Sequence, residues 1–277
     1  MQLRKALIPA LLVLLTTTLA AHDLFLTLAD FRVTPNRTAL VTALNGTFTT
    51  SENAIAPARV ADLSIVGPAG RTRLESSRLV ASGTRTIIKT PIGAAGTYLA
   101  GLSIKPSQIS LKGPQFNDYL KEEGLGSTLE ARKTAGELEK GATERYSKHV
   151  KTIFRAGSAG AEAWNTVLGY PVEIIPLRDP NLVAPGETLR FRVLVNGAKA
   201  PAGQEVLAGG RRAAGGPIPE QHLRADAEGM VSVLIGSAGA WYVKFIDMNR
   251  STEAGIDYIS QWATLTFAVP IPAGKAP

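Results

Sequence analysis

The sequence predicts a mainly β protein: two antiparallel β-sandwich domains of immunoglobulin-like type with an α-helical insert between them. Three observations carry this expectation. Short runs of alternating apolar and polar residues, each closed by a Gly, Pro or Asn-Gly signal, recur through residues 22–110 and again through 169–271. Between them, over 111–168, the alternation fades and Glu, Lys, Ala, Leu and Arg dominate, which are helix formers. Ahead of all three zones, residues 1–21 read as a removable export signal and stand outside the fold.

Within that signal, Arg4 and Lys5 form the positive start, Ala6 to Leu19 the apolar stretch, and Ala20 and Ala21 the small residues of a cleavage site. Cleavage after Ala21 makes His22 the first residue of the exported chain, whereas cleavage after Ala20 leaves Ala21 ahead of it. In the first β zone, Leu24 to Leu28 is a short apolar strand. Ala39 to Leu44 is a second, closed by Asn45-Gly46, a hairpin-turn dipeptide. Val60 to Val66 alternates Leu63 and Ile65 against Asp62 and Ser64. Arg85 to Thr90 and Thr97 to Ile104 flank the Gly93–Gly96 turn and predict a hairpin.

Three helices are expected in the insert. Phe116 to Glu123 gives two turns closed by Gly124, and Leu129 to Lys140 a weaker helix with Gly136 in its middle. Thr143 to Phe154 has the clearest helical period, with Tyr146, His149, Val150, Ile153 and Phe154 forming one stripe. On that reading Glu144 and Lys148 form an i,i+4 pair on the outer face, and Glu122-Glu123 belong to a solvated helix face.

The last zone alternates more cleanly. Leu189, Phe191, Val193 and Val195 face one way against Arg190 and Arg192, and Asn196-Gly197 closes the strand. Met230 to Ile235 is a further strand. Trp241, Val243 and Phe245 oppose Tyr242, Lys244 and Ile246, and Leu265, Phe267 and Val269 share one face of a strand from Trp262. His222 follows a Gly- and Pro-rich stretch, Gly209 to Pro219, and is expected on an exposed loop.

Composition narrows the chemistry. The chain has 30 Lys and Arg against 23 Asp and Glu, a net charge of +7, of which the signal contributes Arg4 and Lys5. The bases are scattered and not interleaved with aromatics, which argues against nucleic acid as a partner. There is no cysteine. That excludes disulfides, thiolate metal sites and a lipid-anchored cysteine behind the signal, and leaves imidazole, carboxylate, amine and thioether as metal ligands. No serine sits in a nucleophile elbow and no glycine loop has the lysine of a phosphate cradle, so no complete catalytic motif is present.

With three histidines and three methionines in the chain, a metal site must be sparse. His22 is the leading candidate, because a free α-amine and an imidazole on one residue chelate a divalent transition metal, with Asp23 beside it as a carboxylate ligand or partner. The plain alternative is the start of an ordinary first strand. His149 is a candidate second imidazole against the alternative of a hydrogen-bonded histidine on a buried face.

Several runs appear in order along the chain: Ala-His-Asp-Leu-Phe-Leu from Ala21 to Leu26, Tyr119 to Leu125, Glu144 to Lys148, Tyr170 to Leu177, Asp226 to Gly229 and Trp262 to Phe267. Together they resemble a bacterial family of exported, uncharacterised proteins often described as nickel- or cobalt-transport periplasmic components. The resemblance implies residence in the periplasm and a divalent-metal role. Members of that family tend to carry a histidine in the strand that here reads Trp241 to Met248, near Asp247. This chain has Asp247 beside Met248 instead, so Asp247 joins His22, Asp23 and His149 as a candidate ligand.

Three functions are open to this sequence. One is an exported protein that binds nickel, cobalt or copper and serves a metal-uptake membrane system or an envelope component, without itself being embedded in the membrane. The second is a non-catalytic sandwich module that binds a protein or a cell-envelope polymer. The third is a copper enzyme with an N-terminal histidine brace, which needs a second imidazole near His22.

Overall fold

A computed structural model describes residues 23–158 and 162–272. The chain is mainly β, with 53% of the described residues in strands and 11% in helix. In order, the elements are β1 (Asp23–Thr27), β2 (Arg32–Val33), β3 (Thr38–Gly46), β4 (Val60–Gly67), β5 (Gly70–Arg73), β6 (Leu79–Ser82), β7 (Arg85–Pro91) and β8 (Gly96–Leu111). Two short helices follow, α1 (Gly113–Glu122) and α2 (Gly126–Thr134), and then β9 (Ala142–Ala156) and β10 (Val172–Pro176). The chain continues through β11 (Thr188–Val195), β12 (Ala198–Lys199), β13 (Glu205–Arg212), β14 (Pro217–Arg224), β15 (Met230–Leu234), β16 (Gly239–Arg250) and β17 (Tyr258–Val269).

These strands form three sheets. A nine-stranded sheet runs β14-β13-β16-β17-β9-β8-β4-β5, with β2 alongside β9. It takes strands from both β-rich zones, and β9 joins them. One face is covered by the four-stranded sheet β1-β3-β7-β6. The core between these two sheets contains Leu24, Leu26, Val41 and Ile88 against Leu102, Val150 and Phe154. The other face is covered by β10, β11, β12 and β15, whose Ile174, Phe191, Val193 and Val233 pack on Ile153, Trp241, Val243, Leu265 and Phe267. The alternation predicted for β11, β16 and β17 therefore points into one real core. Burying each such side chain contributes about 1.5–3 kcal/mol.

Three expectations are corrected. Thr143 to Phe154 is not a helix but part of β9, which pairs antiparallel with β8 and parallel with β17 and β2. The helical stripe was an accident of a strand buried on both faces. Val150 and Phe154 enter one core and Ile153 the other, so the period-2 contrast between buried and exposed disappears. Lys148, expected on an outer face, is 3% exposed, and Glu144 is wholly buried. The predicted hairpin around Gly93–Gly96 is also absent: β7 lies in the four-stranded sheet and β8 in the nine-stranded one. Finally, the stretch before His222 is not a loop. It forms the β13–β14 hairpin, and His222 is exposed on the edge strand β14.

The first two expected helices are present. α1 ends in a Schellman turn, in which Gly124 N–H donates to Lys121 O and Leu125 N–H to Leu120 O. Gly124 carries the positive φ of 68° that this turn requires. Gly136, at φ 66°, likewise lies beyond the end of α2 rather than within it. No helix among the described residues is long and apolar enough to cross a membrane.

Candidate functional site

The sheet sorts the candidate ligands by face, because successive side chains on a strand point to opposite sides. His22 lies outside the described residues. Asp23, the first residue of β1, reaches down onto the nine-stranded sheet, where its Oδ2 accepts from Lys244 Nζ at 2.5 Å. Lys244 stands on β16 opposite Thr264, and Thr264 is opposite Val150, which marks this as the face covered by the four-stranded sheet. His149 is one residue from Val150 and so points the other way. Asp247, on the same face of β16 as Phe245, does too. The sheet thus separates Asp23 from both His149 and Asp247.

His149 is fully engaged where it lies. Ser103 Oγ is 2.9 Å from Nδ1 and Gln261 Oε1 is 2.7 Å from Nε2. This pattern suits a neutral ring accepting at Nδ1 and donating at Nε2. Burial holds its pKa below the usual histidine value, against the opposing bond to Gln261. Nearby, Lys151 and Glu173 form an ion pair of 2.8 Å in which both side chains are buried. Asp247 is half-buried, and its Oδ2 accepts from Asn249 Nδ2 at 3.0 Å. Burial raises its carboxyl above the ordinary value despite that bond. His222 Nε2 lies 3.6 Å from Glu220 Oε1.

On the Asp23 face, sequence reasoning missed most of the polar groups. Lys244 Nζ also donates to Glu123 Oε2 at 2.8 Å, so one ammonium bridges two carboxylates that are only 12% and 13% exposed. The Schellman turn fixes Glu123, the last residue before Gly124, at this point. Glu123 is therefore not part of the solvated helix face that the sequence suggested. Burial pushes its carboxyl up to about 7, reinforced by the Asp23 charge and opposed by Lys244. For Lys244 itself burial acts downward, but the two carboxylates prevail and hold it above the lysine range.

A second buried group adjoins the first. Glu144 Oε1 accepts from Tyr119 Oη at 3.2 Å and from Ser260 Oγ, which in turn accepts from Trp262 Nε1 at 2.9 Å. Glu144 Oε2 is buried with no hydrogen-bond partner, and burial raises this carboxyl. Lys148 Nζ lies 4.9 Å from the centre of the Trp262 ring and 5.2 Å from that of Tyr146. Such cation–π contacts are worth more when desolvated. Burial lowers Lys148 to about 8, while Asp23, Glu123 and Glu144 pull the other way. The signal that could have revealed this site was the set of charges at strand positions flanked by core residues, Lys148 and Lys244 above all. Buried lysines need partners, and partners mark a site.

Asp23 and Glu123 are oxygen donors suited to a divalent cation, although among the described residues no three His, Cys, Asp or Glu side chains gather as a metal cluster. The molecule is thus a mainly β protein of stacked sheets, with a buried ionic cluster beside the start of its first strand. A family model described as a domain of unknown function (DUF4198) matches residues 19–247, and the chain belongs to that family. No curated protein matches it. Among solved structures it is similar to dimeric latent PorU from Porphyromonas gingivalis, at 13% identity and a TM-score of 0.21, with 90% of this chain covering 20% of that one. It is also similar to trypsin-activated alpha-2-macroglobulin from Escherichia coli, at 11% identity and a TM-score of 0.22, with 90% of this chain covering 16% of that one. A DUF4785 family protein from Legionella pneumophila gives 10% identity and a TM-score of 0.25 over 81% of this chain and 52% of that one. The chain spans a fifth or less of the length of the first two. Likenesses this low carry no argument about function.

Proposed function

We propose that this is an exported, periplasmic protein that binds a divalent transition metal, nickel or cobalt, as cargo for an uptake system, and that the site lies at its mature N-terminus. The supporting observation is the convergence of Asp23 and Glu123 on one ammonium, immediately beside residue 22. His22 would supply an amine and an imidazole, and the two carboxylates would supply oxygen. This mixed nitrogen and oxygen set suits nickel, cobalt and copper. Lys244 would keep the carboxylates together while no metal is bound. In this reading the sheets on either side, taken as immunoglobulin-like sandwiches, are a rigid support. A copper brace is not proposed, because His149 is on the face opposite Asp23 with both ring nitrogens bonded, and His222 is exposed on β14.

Calorimetric titration with nickel and cobalt at about pH 8 tests the assignment. Asp23→Asn and Glu123→Gln should each weaken binding about tenfold or more, since each removes a charged ligand. His149→Gln and Asp247→Asn, on the other face, should leave it unchanged. The reverse pattern, or no binding by the parent chain, would overturn the reading.

A further inference from the structure

Some arginines of the molecule are neutralised by acids: Arg73 lies 2.9 Å from Asp62, and Arg224 lies 2.6 Å from Glu205. Four that are not meet in one place. A cleft of about 510 Å³ is lined by Arg32 of β2, Arg85 at the start of β7, and Arg211 and Arg212 at the end of β13. It is bounded also by the segment between β1 and β2 and by the chain leaving β17. Its one acidic residue is Asp30, whose Oδ1 already accepts from the Arg32 backbone N–H at 2.8 Å. Arg212 Nη1 donates to Pro217 O at 2.5 Å. Among the described residues, the side chains of Arg32, Arg85 and Arg211 make no hydrogen bond or ion pair.

This gathering is built by the fold rather than by sequence proximity. The three segments are far apart in the chain, and β13 meets the cleft through its regular pairing with β16, which sets Arg211 opposite Ala240. Arg212 then pairs with Gly239, where a side chain would meet Arg211 O at 2.2 Å, so the two backbones approach as only glycine permits. Arg32, Arg85 and Arg211 bring positive charge to a cleft whose lining holds one carboxylate, that of Asp30, so an anion is drawn to it. The floor of the cleft is apolar, with Phe31, Leu44, Phe48 and Val269. A guanidinium presents its donors as a planar fork that matches a carboxylate two bonds at a time.

We infer that this cleft is a binding site for a small organic polyanion, a molecule with two or more carboxylates on an apolar body. The site is separate from the Asp23–Glu123 cluster and does not depend on the metal reading. The probe is benzene-1,3,5-tricarboxylate, titrated calorimetrically into the full chain at low salt and again at about 0.2 M salt. One saturable site is expected, weaker at the higher salt because the arginines are exposed and screened, and benzoate should bind at least about tenfold more weakly. The double variant Arg85→Gln, Arg211→Gln should lose about tenfold or more in affinity with an unchanged melting temperature. The double variant Arg190→Gln, Arg192→Gln, which removes the same charge from β11, should bind as the parent does. No saturable binding at low salt, equal affinity in the Arg85/Arg211 variant, or equal losses in the two double variants would overturn the inference.

Discussion

Lys151 distinguishes a central strand from the helix that the sequence suggested for the same residues. On a helix it would project off the apolar stripe, and its removal would be nearly silent. On β9 its ammonium is 2.8 Å from Glu173 Oε2, with the two side chains 2% and 1% exposed. Lys151→Ala removes one partner of a buried pair, a change that typically costs about 3–5 kcal/mol. Glu173 keeps three backbone donors, the N–H groups of Leu168, Gly169 and Tyr170 at 2.7–3.0 Å. The cost should therefore fall near the lower limit, about 3 kcal/mol, or roughly 6–12 °C in Tm for a protein of this size. Urea and thermal unfolding of Lys151→Ala, Glu173→Gln and the double variant form the assay. The double variant should be at least about 1 kcal/mol more stable than the sum of the single losses implies, because the two residues are coupled. A Lys151→Ala protein within about 0.5 kcal/mol of the parent, or strictly additive losses, would refute the placement of β9.

Lys148 gives a pH signature. Burial lowers it from 10.5 to about 8, so between those values the unfolded chain holds a proton that the folded chain has released. Stability should then rise as pH goes from about 8 to about 10.5, by at most about 3 kcal/mol. Lys148→Met should flatten that rise, measured by urea unfolding across the range, while Lys148→Asp should be strongly destabilising at neutral pH because the site already holds Asp23, Glu123 and Glu144. His149→Ala should cost about 1–3 kcal/mol, since it strands the buried Ser103 hydroxyl and the half-buried Gln261 amide, and should leave nickel affinity unchanged by calorimetry. Phe154→Ala should cost about 3–5 kcal/mol in chemical unfolding, because its ring is fully buried and stacks on Tyr98 at 5.8 Å.

Legibility in the sequence followed exposure. β11 reads plainly because Leu189, Phe191 and Val193 are buried while Arg190 and Arg192 face solvent. The following Asn196-Gly197 adopts the two positive φ values, 51° and 76°, of a tight hairpin turn to β12. β9 reads badly because both of its faces are covered, and a strand that is buried throughout has no alternation to detect. Its β-branched residues Thr143, Val150, Thr152 and Ile153 were the better signal than the stripe. The β7–β8 step misled because a glycine-rich turn marks a change of direction and does not say whether the next strand stays in the same sheet. Asp23 was legible as a candidate from its place beside His22. Glu123 and Lys244 were not, because they lie 121 residues apart and only the Schellman turn and the β16 register bring them together.

The central claim, a metal site at the mature N-terminus, is tested most directly by calorimetric titration of nickel into two forms of the exported chain. One begins at His22, and the other carries a single alanine ahead of it. A terminal amine loses its proton near pH 8 and an imidazole near 6.5, so binding by the first form should be strong at about pH 8 and fade below about pH 6. The alanine-extended form should bind far more weakly at about pH 8, because its free amine no longer belongs to the histidine. Equal affinity in the two forms, or an affinity unaffected by pH between about 6 and 8, would contradict the account.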